Sequence, residues 1–209
     1  MKTLILSLLI ITLCLNAHAA DWNTSGTVRT SGGELHYRVS GTGKPLLLLH
    51  GYSGYGEQWR GFLDEFVDNY KVIAVDLPGH GQSSKLRSSF IIADAARDMW
   101  QLMDHLGVKQ IHGVGYSAGG MTLLQMALQE PSRVQSMVLA ASAFTVLEDR
   151  SGEPFELLPE AYRQDLLRNH NGDMEKIRSM LSAKYVSDMK LPELRGLQTP
   201  TLLVAGDRD

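Results

Sequence analysis

A glycine-rich stretch in the middle of the chain constrains the fold most, because residues 113–120 read GVGYSAGG. The stretch follows a short apolar run and precedes an amphipathic segment, which is the arrangement of a strand, a tight turn and a helix. A serine at the tip of such a turn has a strained backbone, and the flanking glycines leave room for the neighbouring strand and helix. The pattern Gly-x-Ser-x-Gly therefore predicts an exposed Ser117 hydroxyl beside the N–H groups of a helix N-terminus.

Two other interpretations of this stretch are open. It fits a loose dinucleotide-binding pattern, formed by Gly113, Gly115 and Ala118. That pattern requires an acidic residue about 20 positions further on, at the end of the next strand. The next predicted strand, residues 134–141, is apolar and is followed by Ser142. The context favours the serine turn, and a glycine-rich turn with no chemical role is the remaining alternative.

The first 19 residues predict a signal peptide. Lys2 gives a positive start, residues 4–15 are almost wholly apolar, and residues 17–19 have the small-x-small form of a cleavage site. The apolar run is short for a membrane span. We therefore expect export to the periplasm or the medium, cleavage after Ala19 and no membrane attachment afterwards. An uncleaved membrane anchor is the alternative.

Composition narrows the possible partners. Cleavage would remove the only cysteine, so we expect no disulfide in the mature chain. The net charge is −3 and no basic block is present, so we expect no nucleic-acid partner. The sequence gives no oligomeric state.

Apolar runs that predict strands alternate with amphipathic segments that predict helices. A hairpin is predicted at residues 27–30 and 34–40, further strands at 46–49, 71–75, 110–114, 134–141 and 201–205, and helices at 58–69, 89–106 and 118–129. This alternation predicts an α/β fold with a mostly parallel sheet and helices on both faces. Residues 148–195 are polar and helical, with helices expected at 159–168 and 174–184.

Four motifs in this order resemble the α/β-hydrolase fold superfamily, in its esterase/lactonase-like serine hydrolase branch. They read HGYSG at residues 50–54, DLPGHGQS at 76–83, GYSAG at 115–119 and GDRD at 206–209. The resemblance covers residues 26–209, and it implies that residues 148–195 form a small helical cap. In parallel sheets of this kind the active site forms at the carboxyl ends of the strands, where all four motifs are expected.

The resemblance also implies roles for individual residues. Ser117 would be the nucleophile and Asp209 the acid of the catalytic triad. The backbone N–H groups of Ala118 and Tyr52 would form the oxyanion hole, with His50 shaping the turn that carries Tyr52. Asp76 and His80 would belong to a structural turn rather than to a metal site, so no metal and no cofactor are expected. Glu148 and Asp149 are an alternative position for the acid.

The histidine base of the triad has no candidate in the expected place. In this family the histidine follows the acid, and Asp209 is the last residue given. His170 is the only histidine after Ser117, and we expect it to be exposed to solvent. The sequence therefore predicts a chain that lacks the last strand and the histidine loop, with residues 201–205 as an exposed apolar edge.

The function predicted from these residues is hydrolysis of a small ester, lactone or related acyl substrate through an acyl-serine intermediate. Low activity is expected for the 209-residue chain, because the histidine is absent. The alternative is a non-catalytic binding protein or inactive fragment with the same fold.

Overall fold

A computed structural model of the chain describes residues 20–86, 89–143 and 154–206. The predicted signal peptide, Glu148, Asp149 and Asp209 lie outside these ranges.

Within the described ranges, nine strands form two sheets. They are β1 Thr24–Arg29, β2 Glu34–Ser40, β3 Lys44–Leu49, β4 Tyr70–Val75, β5 Phe90–Ile91, β6 Ile111–Tyr116, β7 Val134–Ala140, β8 Tyr185–Val186 and β9 Thr201–Val204. The main sheet has the order β1-β2-β4-β3-β6-β7-β9, and β5 pairs with β8 separately. The pairs β1–β2 and β2–β4 are antiparallel, whereas the other neighbours in the main sheet are parallel. This mostly parallel sheet confirms the predicted fold class.

The described helices follow the predicted alternation. They are α1 Ile92–His105, α2 Ala118–Gln129, α3 Glu160–Asn169, α4 Met174–Leu181 and α5 Leu191–Arg195, with 3-10 helices at Gly56–Glu65, Pro131–Arg133 and Phe155–Leu157. Helix α1 ends before Gly107, whose φ of 68° suits a glycine at a helix C-terminus. No helix within the described ranges is long and apolar enough to cross a membrane.

The leucine run of β3 shows why the sheet is covered on both faces. Leu47 and Leu49 pack into the larger core cluster, which includes buried residues of α1 and α2. Leu46 and Leu48 pack into a second cluster with Leu63 of the first 3-10 helix. Successive side chains of a strand point to opposite faces, so a continuous apolar strand must be buried on both.

The predicted helix at residues 58–69 is wrong in type and length. The structure has a 3-10 helix at Gly56–Glu65 instead of an α-helix. A 3-10 helix has about three residues per turn, so Trp59 and Phe62 align with each other and Leu63 points elsewhere. Leu63 is fully buried, whereas 54% of the surface of Phe62 is exposed. The apolar residues therefore do not share one buried face.

Strand β9 lies at the edge of the main sheet. Leu202, Leu203 and Val204 are 59%, 71% and 48% exposed. This agrees with the expectation of an exposed apolar edge at residues 201–205.

Candidate active site

Ser117 lies at the turn between β6 and α2, with φ of 50° and ψ of −117°. A positive φ is strained for a residue with a side chain and costs on the order of 1–3 kcal/mol. The Ser117 N–H donates to the Ala140 carbonyl at 2.9 Å, and its carbonyl accepts from the Met121 N–H at 3.0 Å. Both hydrogen bonds use backbone atoms of Ser117 and connect the turn to β7 and α2. The half-buried side chain of Ser117 takes no part in them.

Two glycines of the motif are required by close backbone packing. A Cβ atom on Gly115 would lie 2.5 Å from the Gly120 Cα, at the first turn of α2. A Cβ atom on Gly119 would lie 2.4 Å from the carbonyl oxygens of both Leu49 and His50. Real Cβ atoms do not approach backbone atoms so closely, so the start of α2 can lie this close to β6 and to the end of β3 only without side chains at these positions.

His50 orients the first peptide group of the loop that follows β3. Its Nε2 accepts a hydrogen bond from the Leu77 N–H at 2.9 Å, and its Nδ1 donates to the Gly51 carbonyl at 2.7 Å. Burial lowers the pKa of His50 to about 4, so the imidazole is neutral at ordinary pH and carries its proton on Nδ1. The Gly51 carbonyl also accepts from the Gly54 N–H at 3.1 Å.

This orientation determines the direction of the Tyr52 N–H. The Gly51 carbonyl and the Tyr52 N–H belong to one planar trans peptide group, so they point in opposite directions. Within residues 20–86, 89–143 and 154–206, neither the Tyr52 N–H nor the Ala118 N–H has a hydrogen-bond acceptor. Both predicted oxyanion donors are therefore available to a ligand.

The loop lies directly against Ser117. A Cβ atom on Gly51 would be 3.2 Å from the Ser117 Cβ and 2.8 Å from the Tyr116 Cδ1. A serine hydroxyl between a helix N-terminus and a free loop N–H can attack a carbonyl group whose developing negative charge the N–H groups accept.

Asp76 is a fully buried carboxylate that organises the turn after β4. It accepts hydrogen bonds from His36 Nδ1 and Arg38 Nη1, each at 3.1 Å, and from the N–H groups of Gly56 at 2.6 Å and Gln82 at 2.9 Å. Burial alone raises the pKa of Asp76, but the His36 hydrogen bond, the Arg38 charge and the backbone donors outweigh it and lower the pKa well below its usual range. These partners give Asp76 a structural role.

His80 lies in the same turn and is fully buried. Its Nδ1 donates to the Pro78 carbonyl at 2.9 Å, and its Nε2 accepts from the Tyr185 hydroxyl at 3.2 Å. Burial, together with neighbouring His50, lowers the pKa of His80 to about 3. The described part of the chain holds no group of three or more histidine, cysteine or acidic residues that could bind a metal ion.

The prediction that His170 is exposed is wrong, because the structure buries this residue fully. It follows α3, and its Nδ1 donates to the Leu166 carbonyl at 2.9 Å. Asn171 and Gly172 have positive φ values of 55° and 71°, and this turn joins α3 to α4. His170 Nε2 has no partner among the residues that the structure describes, and burial lowers the pKa of the side chain.

The structure brings three of the four predicted site residues to one place. Ser117 and Ala118 form the turn, and the loop that carries Tyr52 lies against it. Asp209, the predicted acid, lies outside the described residues, as do Glu148 and Asp149. No histidine in the described ranges forms a hydrogen bond to the Ser117 hydroxyl. The catalytic roles of these residues remain predictions.

The model of the α/β hydrolase fold family matches residues 44–196. The chain belongs to this family. Within residues 44–196 the match spans the loop after β3, the turn at Ser117 and both helices of the predicted cap.

The chain is also similar to individual relatives and solved structures. The chain is 38% identical over 172 residues to the dihydrolipoyllysine-residue acetyltransferase component of an acetoin cleaving system from Pseudomonas putida, covering 79% of this chain and 46% of that protein. It is similar in fold to a hydrolase from Pseudomonas aeruginosa, with a TM-score of 0.71, 23% identity and coverage of 89% and 81%. It is also similar to the epoxide hydrolase CorEH, with a TM-score of 0.73, 20% identity and coverage of 88% and 82%.

Identity and coverage limit what these similarities show. The two solved structures are under 25% identical, so they show the fold alone. The chain spans half or less of the length of the curated relatives it matches, from 28% to 50%.

Proposed function

We propose that the protein is a serine hydrolase that cleaves a small ester, lactone or related acyl compound. One observation carries the proposal: the Ser117 hydroxyl stands on a strained turn, with a loop against it and two backbone N–H groups free of acceptors in the described part of the chain. This arrangement suits attack on an acyl carbonyl better than binding of a dinucleotide cofactor. The space beside Gly115 and Gly119 is filled by backbone atoms, so it leaves no room for a phosphate group.

In this mechanism the Ser117 oxygen attacks the acyl carbonyl carbon, and a histidine base takes the hydroxyl proton. The Ala118 and Tyr52 N–H groups donate hydrogen bonds to the oxyanion. Removal of one donor would destabilise the oxyanion by roughly 2.7–4 kcal/mol. The leaving oxygen takes the proton from the histidine, and water then hydrolyses the acyl-serine. Asp209 would orient the histidine, which in the family order lies downstream of the acid.

The test compares the complete protein with its Ser117→Ala variant, using p-nitrophenyl acetate as substrate. We expect kcat/KM to fall at least about 10³-fold, because the nucleophile is lost. Ser182→Ala is the matched control, since Ser182 is exposed and lies at the end of α4. Retention of activity in Ser117→Ala would overturn the proposal.

A non-catalytic protein of the same fold is the second candidate. It is favoured by the absence, within the described ranges, of a histidine bonded to the Ser117 hydroxyl. A complete protein that contains the downstream histidine and is still inactive toward p-nitrophenyl esters would support this candidate. Activity that appears only in the complete protein, and not in the 209-residue chain, supports the serine hydrolase.

We also propose that the protein is exported, with residues 1–19 as a cleaved signal peptide. The support is the charged start, the apolar run and the small residues before Ala20. N-terminal sequencing of the protein recovered from the producing cells should begin at Ala20. A mature protein that begins at Met1 or Lys2 would contradict export by cleavage.

A further inference from the structure

Two tyrosines of the loop after β3 bind the helices of the predicted cap. The Tyr52 hydroxyl donates to the Leu181 carbonyl, at the end of α4, at 2.9 Å. The Tyr55 hydroxyl lies 3.0 Å from both carboxylate oxygens of Asp165 in α3. These contacts join residues separated by 129 and 110 positions in the chain, so they are tertiary and not local.

A third contact lies between these two. Ser53 has a positive φ of 54° and is 7% exposed. Its hydroxyl donates to the Tyr52 carbonyl at 2.7 Å and forms a short hydrogen bond with the Tyr162 hydroxyl of α3. A serine hydroxyl has one proton, so Tyr162 is the donor to Ser53. The relay from Tyr162 through Ser53 to the Tyr52 carbonyl stabilises a backbone conformation that is otherwise unfavourable.

The surroundings keep these phenols protonated and in place. Burial raises the pKa of Tyr52 to about 12, and burial together with Asp165 raises the pKa of Tyr55 to about 12. The Tyr52 ring packs against the apolar cluster of Leu166, Ile177, Met180 and Leu181. The loop is therefore held on its cap side by both hydrogen bonds and apolar packing.

The Tyr52 N–H lies between two anchors. His50 holds the Gly51 carbonyl from within the core, and α3 holds Ser53 and Tyr55 on the other side. We propose that Tyr162 and Asp165 are positioning residues for the oxyanion donor at Tyr52, an inference that rests on the proposed function. The cap then takes part in transition-state stabilisation without touching the reacting atoms.

The expected fall in kcat of the cap variants can be bounded from the dependence of catalysis on the position of an oxyanion donor. Full loss of an oxyanion donor costs about 10²–10³-fold in kcat, and a displacement of about 1 Å can cost about 10²-fold. Removal of one of the three contacts between the loop and the cap should displace the donor less than that. We expect a fall in kcat of about 10-fold for each variant.

The experiment measures kcat and KM of the complete protein with p-nitrophenyl acetate, for Tyr162→Phe and Asp165→Ala. Asp165→Asn keeps an acceptor for the Tyr55 hydroxyl and should recover most of the lost kcat. Tyr70→Phe is the matched control, because the Tyr70 ring packs against Phe66 and its hydroxyl has no hydrogen-bond partner in the described part of the chain. The inhibition constant of phenylboronic acid, whose tetrahedral serine adduct occupies an oxyanion hole, is measured in parallel.

The expected result is a lower kcat with KM within about two-fold, and a weakening of boronate binding by the same factor as kcat. A higher KM with unchanged kcat would overturn the inference, because Tyr162 or Asp165 would then contact the substrate. Unchanged kcat in Tyr162→Phe and Asp165→Ala, together with an inactive Ser117→Ala, would overturn this inference and leave the proposed function standing. Activity retained in Ser117→Ala would remove the proposed function and the inference with it.

Discussion

The turn at Ser117 and the loop at residues 50–55 lie against each other but are built in different ways. The turn depends on the absence of side chains, because Gly115 and Gly119 bring backbone atoms into direct contact. The loop depends on side-chain hydrogen bonds to residues 27 to 129 positions away. The turn can be recognised from a local glycine pattern, although Gly119 packs against the end of β3. The Tyr52 N–H is held by side chains that no local pattern indicates.

The largest expected effect comes from adding one methyl group to the turn. In Gly119→Ala the new Cβ atom would meet two backbone carbonyl oxygens at 2.4 Å, and neither can move away as a flexible side chain could. We expect a loss of at least about 3 kcal/mol in the free energy of unfolding, or no soluble protein. Chemical denaturation followed by circular dichroism measures the change.

Gly61→Ala is the control for this prediction. A Cβ atom on Gly61 would have no atom within 4 Å. Its effect on the free energy of unfolding should stay within about 1 kcal/mol. Equal effects of Gly61→Ala and Gly119→Ala would show that the turn does not depend on close backbone packing.

The loop at residues 50–55 and the turn after β4 each hold a buried histidine, so the stability of the fold should depend on pH. His50 and His80 have folded-state pKa values of about 4 and about 3, both below the usual 6.5, because burial disfavours their charged forms. The free energy of unfolding is therefore fully retained above pH 6.5. It decreases as the pH falls from 6.5 toward 4, because the unfolded chain binds more protons than the folded chain in this range. Each histidine should contribute about 1.4 kcal/mol per pH unit within this window.

His80→Gln isolates one of these contributions. The amide can replace some of the hydrogen bonds of His80 to Pro78 and Tyr185 but cannot titrate. Urea denaturation of His80→Gln between pH 6 and 4 should give a smaller slope of unfolding free energy against pH, by the equivalent of about one bound proton. His105→Gln, at an exposed site in α1, should leave this slope unchanged. Identical slopes for the two variants would rule out this source of pH dependence.

The smallest effect concerns the strain at Ser117. In Ser117→Gly the positive φ of 50° is no longer strained, whereas Ser117→Ala keeps the strain. We expect the glycine variant to be more stable than the alanine variant by about 1 kcal/mol, after the entropy lost by glycine on folding is counted. Differential scanning fluorimetry measures this as a difference in Tm.

The same pair of substitutions at Ser182 provides the control, since its φ is −93°. There glycine should be less stable than alanine. A less stable glycine variant at both positions would show that the Ser117 backbone is not strained.

The turn was predictable from the sequence because its glycine pattern is contiguous. The glycines at 113–120 indicate a tight bend, and the leucines at 46–49 indicate a strand buried on both faces. The antiparallel hairpin of β1 and β2 was likewise predictable from Gly32 and Gly33 between two alternating runs.

The loop and the cap were less predictable because their contacts are remote in sequence. Nothing near Tyr162 or Asp165 indicates that they bind Ser53 and Tyr55, more than 100 positions earlier. The burial of His170 was missed because the polar composition of its segment does not show what packs on it. The 3-10 helix Gly56–Glu65 begins at a hydrogen bond from the Gly56 N–H to Asp76, which lies 20 positions away.

The most direct test of the central claim is covalent labelling of the complete protein with a fluorophosphonate, followed by peptide mass spectrometry. We expect one phosphonate adduct, on Ser117, and no adduct in Ser117→Ala. Hydrolytic activity lost on labelling with the adduct on another residue, or retained with Ser117 fully labelled, would contradict it.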